Sequence, residues 1–363
     1  QAVKEGREEQ QGYREVMTFL HGIGISQAFA NRIYAYFGLN CIPNIKSNPY
    51  QLTKIEGISF RRADEYAQKI GFDKNSLERA ISGLIFVLNK QSDNGHTCFP
   101  RKELVKIANE ELDIDLKIID DALNDLIKER FIKEIKNRNE FDDNQFLITK
   151  DFYYAEKRIA ENFYRLAESE SIIKFDTEKE LISSEEKRLG IKLNNIQLEA
   201  ISKAIQNKIL IITGGPGTGK TTLIRFIIGL MMRKGSSVSI SAPTGRAAKR
   251  LSETTGRNAV TIHRLLEFGY IQVDSESANG RNGNDRKGNE RFGFQRNREN
   301  PLESEVVVID ESSMIDTLLM DALMEAIPSS SRLVFVGDVD QLPSVGPGMI
   351  LRDLIESKMV SVV

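Results

Sequence analysis

The stretch Ile209-Leu210-Ile211-Ile212-Thr213-Gly214-Gly215-Pro216-Gly217-Thr218-Gly219-Lys220-Thr221-Thr222 decides the fold. A short aliphatic run leads straight into G-x-x-x-x-G-K-T, and an apolar-periodic segment follows at once. That order predicts a buried strand, a phosphate-binding loop and a helix. Glycines allow backbone angles that turn successive N–H groups inward, and the helix start adds its positive end. Lys220 can reach the β- and γ-phosphates, while Thr221 can place a hydroxyl on Mg²⁺. The loop residues expected to hold nucleotide are Gly215, Pro216, Gly217, Thr218, Gly219, Lys220, Thr221 and Thr222. A glycine-rich turn without a ligand is the plainer reading. Strand, loop, lysine, hydroxyl and helix falling in order argue against it.

Three further strands are expected downstream. Val238–Ala242 ends in Pro243-Thr244-Gly245-Arg246-Ala247-Ala248-Lys249-Arg250, a proline turn opening a basic helix. Such a turn suits a nucleic-acid phosphate, and a solvated basic helix is the alternative. Glu305–Ile309 delivers Asp310 and Glu311, candidates for a Mg²⁺ carboxylate and for the general base that polarises an attacking water. Arg332–Val336 leads to Gly337-Asp338-Val339-Asp340-Gln341-Leu342-Pro343, in which Gln341 is placed to sense a γ-phosphate. Upstream, Gln197 lies 17 residues before Gly214 on a predicted helix. Its amide can pair with an adenine edge. No N-K-x-D guanine reader appears, so the base expected is adenine. His263, in Thr261-Ile262-His263-Arg264-Leu265-Leu266, is a candidate DNA contact, with a buried, satisfied histidine as the alternative.

The first part of the chain reads differently. Gly24-Ile25-Ser26 and Gly57-Ile58-Ser59 open two copies of G-I-S-x-x-x-A-x-x-[IY], 33 residues apart. Each pairs a tight turn with an amphipathic helix, so residues 1–75 are expected to form tandem helix–hairpin–helix units. They serve either to hold DNA phosphate or only as packing scaffold. Residues 76–150 show three helical spacings followed by alternating runs at 131–135 and 145–149 around a polar turn, a winged-helix-like pattern. Acids at Asp120, Asp121, Asp125 and Glu129 on its last helix favour packing over DNA reading. His96 has no metal-ligand spacing and reads as structural. Residues 151–192 read as a charged helix and linker, and residues 193–363 as an α/β domain with a mostly parallel sheet. Within it, residues 274–300, rich in Gly, Asn and Arg, read as a flexible insertion.

Bulk properties narrow the classes. At 363 residues two or three domains are expected, and 40% hydrophobic content fits a soluble globular protein. No run of 18 apolar residues exists, so no membrane helix is expected. The polar N-terminus resembles neither a signal nor a transit peptide. Cys41 and Cys98 lack disulfide or zinc spacing, which fits a reducing cytoplasm. A net charge of −2 neither advertises nor excludes nucleic acid, because a local basic groove suffices. Starting at Gln1 and closing on the apolar run Met359–Val363, the chain reads as a segment of a longer protein.

Taken together, the motifs resemble those of superfamily 1 DNA helicases, most closely the RecD-like ATP-dependent group in its long stand-alone form. LNNIQ, GGPGTGKTT, APTGRAAKR, TIHRLL, VVVIDESSMID and GDVDQLPSVGPG carry the resemblance in the motor region. REVMTFLHGIGIS, NPYQLTKIEGISFRRADEYAQKIG and NGHTCFP carry it before that. The resemblance implies a RecA-like first motor domain, hydrolysis of ATP with Mg²⁺, and 5′-to-3′ movement on single-stranded DNA at single-strand/duplex junctions, with no membrane involved. Residue by residue, it assigns adenine to Gln197, Mg²⁺ to Thr221 and Asp310, catalysis to Lys220 and Glu311, and phosphate-to-DNA coupling to Gln341. It also assigns the single-strand path to Pro243, Thr244 and Arg246. Ser312 stands where the family more often has alanine. The resemblance further implies an N-terminal β domain and a second motor domain bearing arginines outside these 363 residues, so weak binding and poor hydrolysis are expected of the segment alone. A non-hydrolysing ATP- and DNA-binding module is the competing reading. A phosphotransferase would leave Ala242–Arg250 and Gly337–Pro343 without a task.

Overall fold

The computed structural model describes residues 2–136, 145–170, 173, 178–272, 290–341 and 343–363. The chain forms two compact units, Gln1–Lys150 and Asp151–Val363.

The first unit opens with α1 (Ala2–Gly22), α2 (Gln27–Phe37), α3 (Cys41–Ser47) and α4 (Phe60–Lys69). The two G-I-S copies take up matching turns, with Gly24 at φ 87° and Gly57 at φ 86°, angles that suit glycine. Ser26 and Ser59 then begin α2 and α4 without capping them through their side chains. The repeated apolar positions, Ile25, Ala30 and Ile33 in one copy and Ile58, Ala63 and Tyr66 in the other, are all buried. Arg32 of the first copy donates to the Glu56 carbonyl at 3.2 Å and Arg62 to that of Gly57 at 3.0 Å, both beside the Phe29 ring.

The unit continues with α5 (Leu77–Asp93), α6 (Arg101–Leu112) and α7 (Leu116–Lys128). An antiparallel sheet joins β1 (Cys98–Pro100), β2 (Ile132–Lys136) and β3 (Gln145–Thr149) in the order β1-β3-β2. The sequence pattern predicts two of these strands and misses β1, which is three residues long and ends on proline. The turn expected between β2 and β3 lies, in residues 137–144, outside the described residues. Buried Arg79 ties α4 to α5. It donates to Asp64 at 2.7 and 3.0 Å and to the carbonyls of Lys74 and Leu112, while Tyr50 donates to the same carboxylate at 2.7 Å.

In the second unit, α8 (Lys150–Glu168), α9 (Glu178–Leu189) and α10 (Asn195–Gln206) precede β4 (Ile209–Thr213) and α11 (Lys220–Arg233). Next come β5 (Val238–Ala242), α12 (Gly245–Thr255), β6 (Val260–Thr261), α13 (Ile262–Leu265), β7 (Phe268–Gln272) and β8 (Glu290–Phe294). The chain then runs through β9 (Val306–Ile309), α14 (Thr317–Ala326), β10 (Arg332–Gly337), α15 (Ile350–Ser357) and β11 (Ser361–Val362). The main sheet is parallel throughout, in the order β11-β4-β10-β9-β5-β6. This is the α/β class with a parallel sheet that the strand–loop–helix pattern predicts.

Alternation along the strands divides the core. Leu210, Ile212, Val308 and Val336 pack with Ile201, Phe226 and Ile227 on one face, while Ile209, Ile211, Ile309 and Phe335 pack with Phe163, Leu323 and Met324 on the other. The helix read as part of a linker belongs to this second layer, because Arg158 and Asn162 of α8 bind Asp321 and Glu325 of α14. Glu185 of α9, fully buried, pairs with Arg188 and Arg233 over Gly229 of α11.

The flexible-insertion expectation for 274–300 needs correction at its far end. Residues 290–294 form β8, antiparallel to β7, and register Phe268 with Phe294 and Tyr270 with Phe292. Beyond it, Arg296 pairs with Glu267 at 2.9 Å. Alternating aromatic residues supply the cross-strand contacts that the Gly- and Asn-rich composition obscured. Residues 274–289 lie outside the described residues.

Candidate active site

Parallel strands deliver their C-terminal ends to one edge of the sheet, where crevices form in such folds. At that edge a cavity of about 270 Å³ is lined by Pro216 to Thr221, Asp310, Glu311 and Gln341, with Ala247, Arg250, Leu251 and Thr254 from α12. Residues separated by more than a hundred positions thus meet because β4, β10, β9 and β5 are neighbours.

The loop turns on two of its glycines. Gly217 and Gly219 take φ 79° and 92°, and α11 starts at Lys220 with no acid in its first turn. Its polar groups are turned inward. Lys220 Nζ donates to the Gly214 carbonyl and, at 2.9 Å, to that of Gly215; Thr218 Oγ1 donates to Gly215 at 2.9 Å. Thr222 follows Thr221 in the first turn of α11.

Asp310 and Glu311 leave β9 at the cavity wall. Asp310 Oδ1 accepts the Glu311 backbone N–H at 2.9 Å. Burial lifts the Asp310 carboxyl above its ordinary value, and the Glu311 charge adds to this. The Glu311 N–H and the Lys220 and Arg250 charges pull the other way. Glu311 holds a left-handed φ of 52°, a conformation costly for a side chain of its size. Ser312 is 1% exposed and donates to the Ile309 carbonyl at 2.9 Å, so its hydroxyl is satisfied where it sits.

Thr221 and Asp310, which line one cavity, are the residues that could contribute oxygens to a Mg²⁺ shared with phosphate. Among the described residues, none makes a hydrogen bond with the Thr221 hydroxyl, and Asp310 is a partly desolvated carboxylate beside a second acid. No cluster of three or more His, Cys, Asp or Glu capable of holding a metal occurs among those residues. Magnesium commonly takes one or two protein oxygens and completes its shell with phosphate and water.

Gln341 is anchored by a residue that the sequence reading did not single out. Asp338, 4% exposed, accepts from the Gln341 backbone at 3.3 Å through its carbonyl and from Gln341 Nε2 at 3.4 Å through its carboxylate. The spacing D-x-x-Q was the available signal. Leu342, in the same motif, lies outside the described residues.

Gln197 sits beside the cavity wall. Its Oε1 accepts from Asn194 N at 3.1 Å and Asn194 Oδ1 from Gln197 N at 2.9 Å, a reciprocal cap on α10. Its Nε2 lies 2.8 Å from where a Cβ on Gly219 would fall, which places the amide against the loop.

The remaining candidates gather at the adjoining strand ends. Ala242 registers with Thr261 in a parallel pair, so Pro243 and Thr244 leave β5 at the same end of the sheet as Ile262 and His263 leave β6. Thr244 caps α12 by accepting from Ala247 N at 3.2 Å, and Arg246 is exposed. The buried-histidine alternative is overturned. Ile262 of the one-turn α13 and Leu266, which caps it, are buried, and His263 is exposed against Phe268 and Phe294, each 5.7 Å away by ring centroid. An open depression of about 590 Å³ lies there, lined by Thr261, His263, Arg264, Glu267, Phe268 and Gln295. Tyr270 of β7 and Phe292 of β8 are exposed aromatics, at 63% and 55%. Arg250 departs from the basic-helix reading, because it faces the phosphate-loop cavity.

Residues 197–347 match the family described as an AAA domain, and residues 9–98 the ATP-dependent RecD2 DNA helicase HHH domain. The chain is 27% identical over 359 residues to the ATP-dependent RecD2 DNA helicase of Deinococcus radiodurans, covering 96% of this chain and 46% of that protein. It is 34% identical over 183 residues to the RecBCD enzyme subunit RecD of Mycolicibacterium smegmatis, covering 44% of this chain and 30% of the relative. A solved Pif1 helicase structure on forked duplex DNA aligns over 46% of this chain and 38% of its own, at 21% identity and a TM-score of 0.29. The chain spans less than half the length of these curated relatives. At the level of its matched domains it is similar to the RecD2 and RecD helicases.

Proposed function

We infer, from that domain-level likeness and the geometry of the cavity, that this chain is the first motor domain and preceding DNA-contacting region of an ATP-driven DNA helicase. The observation that carries this is the meeting of Pro216–Thr221, Asp310, Glu311 and Gln341 around one cavity, one strand away from an exposed edge bearing Thr244, Arg246 and His263.

On this reading the triphosphate enters the loop and draws Lys220 away from the Gly214 and Gly215 carbonyls, whose place the phosphate oxygens take. Gln197 keeps its cap and offers Nε2 and a remaining Oε1 lone pair to adenine. Thr221 and Asp310 would hold Mg²⁺, whose charge would offset that of the transferred phosphoryl group. Glu311 accepts a proton as water attacks the terminal phosphorus and the bond to the diphosphate breaks. Gln341 follows the loss of that phosphate and, through Asp338, moves with the loop after β10.

DNA runs along the edge formed after β5 and β6. Exposed Arg246 takes backbone phosphate, while His263, Phe268, Tyr270 and Phe292 offer flat faces to unpaired bases. The turns at Gly24 and Gly57 precede helix starts uncapped by side chains, and Arg61 and Arg62 follow the second turn, which suits sequence-independent phosphate contact by helix–hairpin–helix units. Residues 76–150 serve as a winged-helix-like packing element, and movement is 5′-to-3′ by similarity to the RecD-like group. Among the described residues no helix is long and apolar enough to cross a membrane.

The experiment is Mg-ATP hydrolysis by the protein with and without single-stranded DNA and forked junctions. Stimulation by DNA, lost in Glu311→Gln while nucleotide binding survives, is expected. Hydrolysis indifferent to DNA sinks the helicase reading. Absence of any Glu311-dependent turnover favours a non-hydrolysing ATP- and DNA-binding module.

A further inference from the structure

Helix α12 has two faces with different tasks. Ala247, Arg250, Leu251 and Thr254 recur at helical spacing and line the phosphate-loop cavity. Arg246, Lys249 and Glu253 lie off that stripe and are exposed. The run read as one basic patch is therefore divided, and Arg250 is its member on the nucleotide side.

Arg250 is also unlike the other cation of the cavity. Lys220 has acceptors in its own loop, at Gly214 and Gly215. The Arg250 guanidinium makes no hydrogen bond or ion pair among the described residues, although Asp310 and Glu311 line the same cavity. It is an exposed fork of five donors on a helix that lines the same cavity as the loop. A nucleoside triphosphate brings the acceptors that this fork lacks. Guanidinium matches phosphate oxygens in a planar, two-point manner that an ammonium cannot reproduce.

We propose that Arg250 contacts the terminal phosphate of a bound nucleoside triphosphate from within this chain, and so makes the cavity distinguish triphosphate from diphosphate. The proposal rests on the nucleotide-binding reading above and deepens it. It is a binding role, separate from the proton-accepting role of Glu311. It also makes α12 a link between phosphate state and DNA edge, since Arg250 sits on the same helix as Arg246 and the Thr244 cap.

The test compares Mg-AMPPNP and Mg-ADP affinities of the full chain, by competition against a fluorescent nucleotide, for the wild type and for Arg250→Ala, Arg250→Lys and Lys220→Ala. Loss of a charge-assisted contact predicts a roughly ten- to hundredfold fall in Mg-AMPPNP affinity for Arg250→Ala, with Mg-ADP affinity unchanged. Arg250→Lys should recover part of the difference. Because Arg250 is exposed, thermal unfolding of both variants should match the wild type. If the wild type binds both nucleotides through Lys220 but Arg250→Ala leaves their affinity ratio unchanged, the assignment of Arg250 is wrong while the nucleotide reading stands. An equal loss of both affinities also overturns it, by showing a general effect on the pocket. If the wild type binds neither nucleotide, the nucleotide reading fails and Arg250 falls with it.

Discussion

Asp310 accepts the backbone N–H of Glu311 at 2.9 Å, and Glu311 is held at a left-handed φ of 52°. A glutamate gains nothing intrinsic from that conformation, so surrounding contacts must impose it. Replacing Glu311 with glycine should relieve the strain and raise stability by up to about 1 kcal/mol. The same change should abolish ATP turnover, as should Glu311→Gln. Chemical denaturation beside a steady-state hydrolysis assay separates the two effects. A glycine variant markedly less stable than the wild type would show that Glu311 is held there for packing.

Asp310 gives a pH dependence. Burial raises its carboxyl above the ordinary carboxylate value, so in the folded protein it takes up a proton at higher pH than a free aspartate does. On the proposed reading, Mg-nucleotide binding requires the ionised form. Affinity should therefore weaken on acidification, beginning above the usual aspartate range, and Asp310→Asn should flatten that part of the profile. Nucleotide titrations between neutral and mildly acid pH check this. A wild-type profile that the substitution leaves unaltered would remove Asp310 from the metal site.

The phosphate loop was legible because chemistry and local structure coincide there: an aliphatic run, glycines, lysine, hydroxyl and helix are contiguous between Ile209 and Thr222. The parallel sheet followed from similar runs at Val238–Ala242, Val306–Ile309 and Arg332–Val336. What resisted reading depended on partners distant in sequence. β8 is recognisable only beside β7, and β1 is too short to carry a period of its own. Whether Arg250 or Arg246 faces the cavity depends on the packing of α12, which a run of basic residues does not encode. The exposure of His263 was readable in part, since Ile262 and Leu266, four apart, share the buried side of that turn.

Glu185 fixes the helix behind the loop. It is fully buried, pairs with Arg188 and Arg233, and its Oε1 lies 1.9 Å from the position a Cβ on Gly229 would occupy. Gly229→Ala should push this carboxylate aside and destabilise the unit by about 1–3 kcal/mol despite alanine's better helix propensity. Urea denaturation measures it. Equal or greater stability in the variant would mean that Glu185 swings out at little cost.

In the first unit Asp64 holds buried Arg79. Burial alone would raise the Asp64 carboxyl, but hydrogen bonds from Arg79 and Tyr50 outweigh it and leave it below its ordinary value. A depressed folded value stabilises above the unfolded value and is lost as pH falls through the folded one. This unit should therefore lose stability in acid over that window. Asp64→Ala should cost about 3–5 kcal/mol at neutral pH, because the buried guanidinium is left without its carboxylate. Denaturation of wild type and variant across pH tests both statements; a variant that keeps the same acid sensitivity contradicts the assignment to Asp64.

On the proposed reading the phosphate-loop cavity and the edge carrying Thr244, Arg246 and His263 are coupled. Its most direct test is the affinity of the chain for a single-stranded oligonucleotide, measured by fluorescence anisotropy at fixed salt with Mg-AMPPNP, with Mg-ADP and without nucleotide. Coupling predicts that affinity differs by about fivefold or more between the triphosphate and diphosphate states, and that the oligonucleotide shifts nucleotide affinity by the same factor. One DNA affinity across all three states, with nucleotide bound, would contradict it.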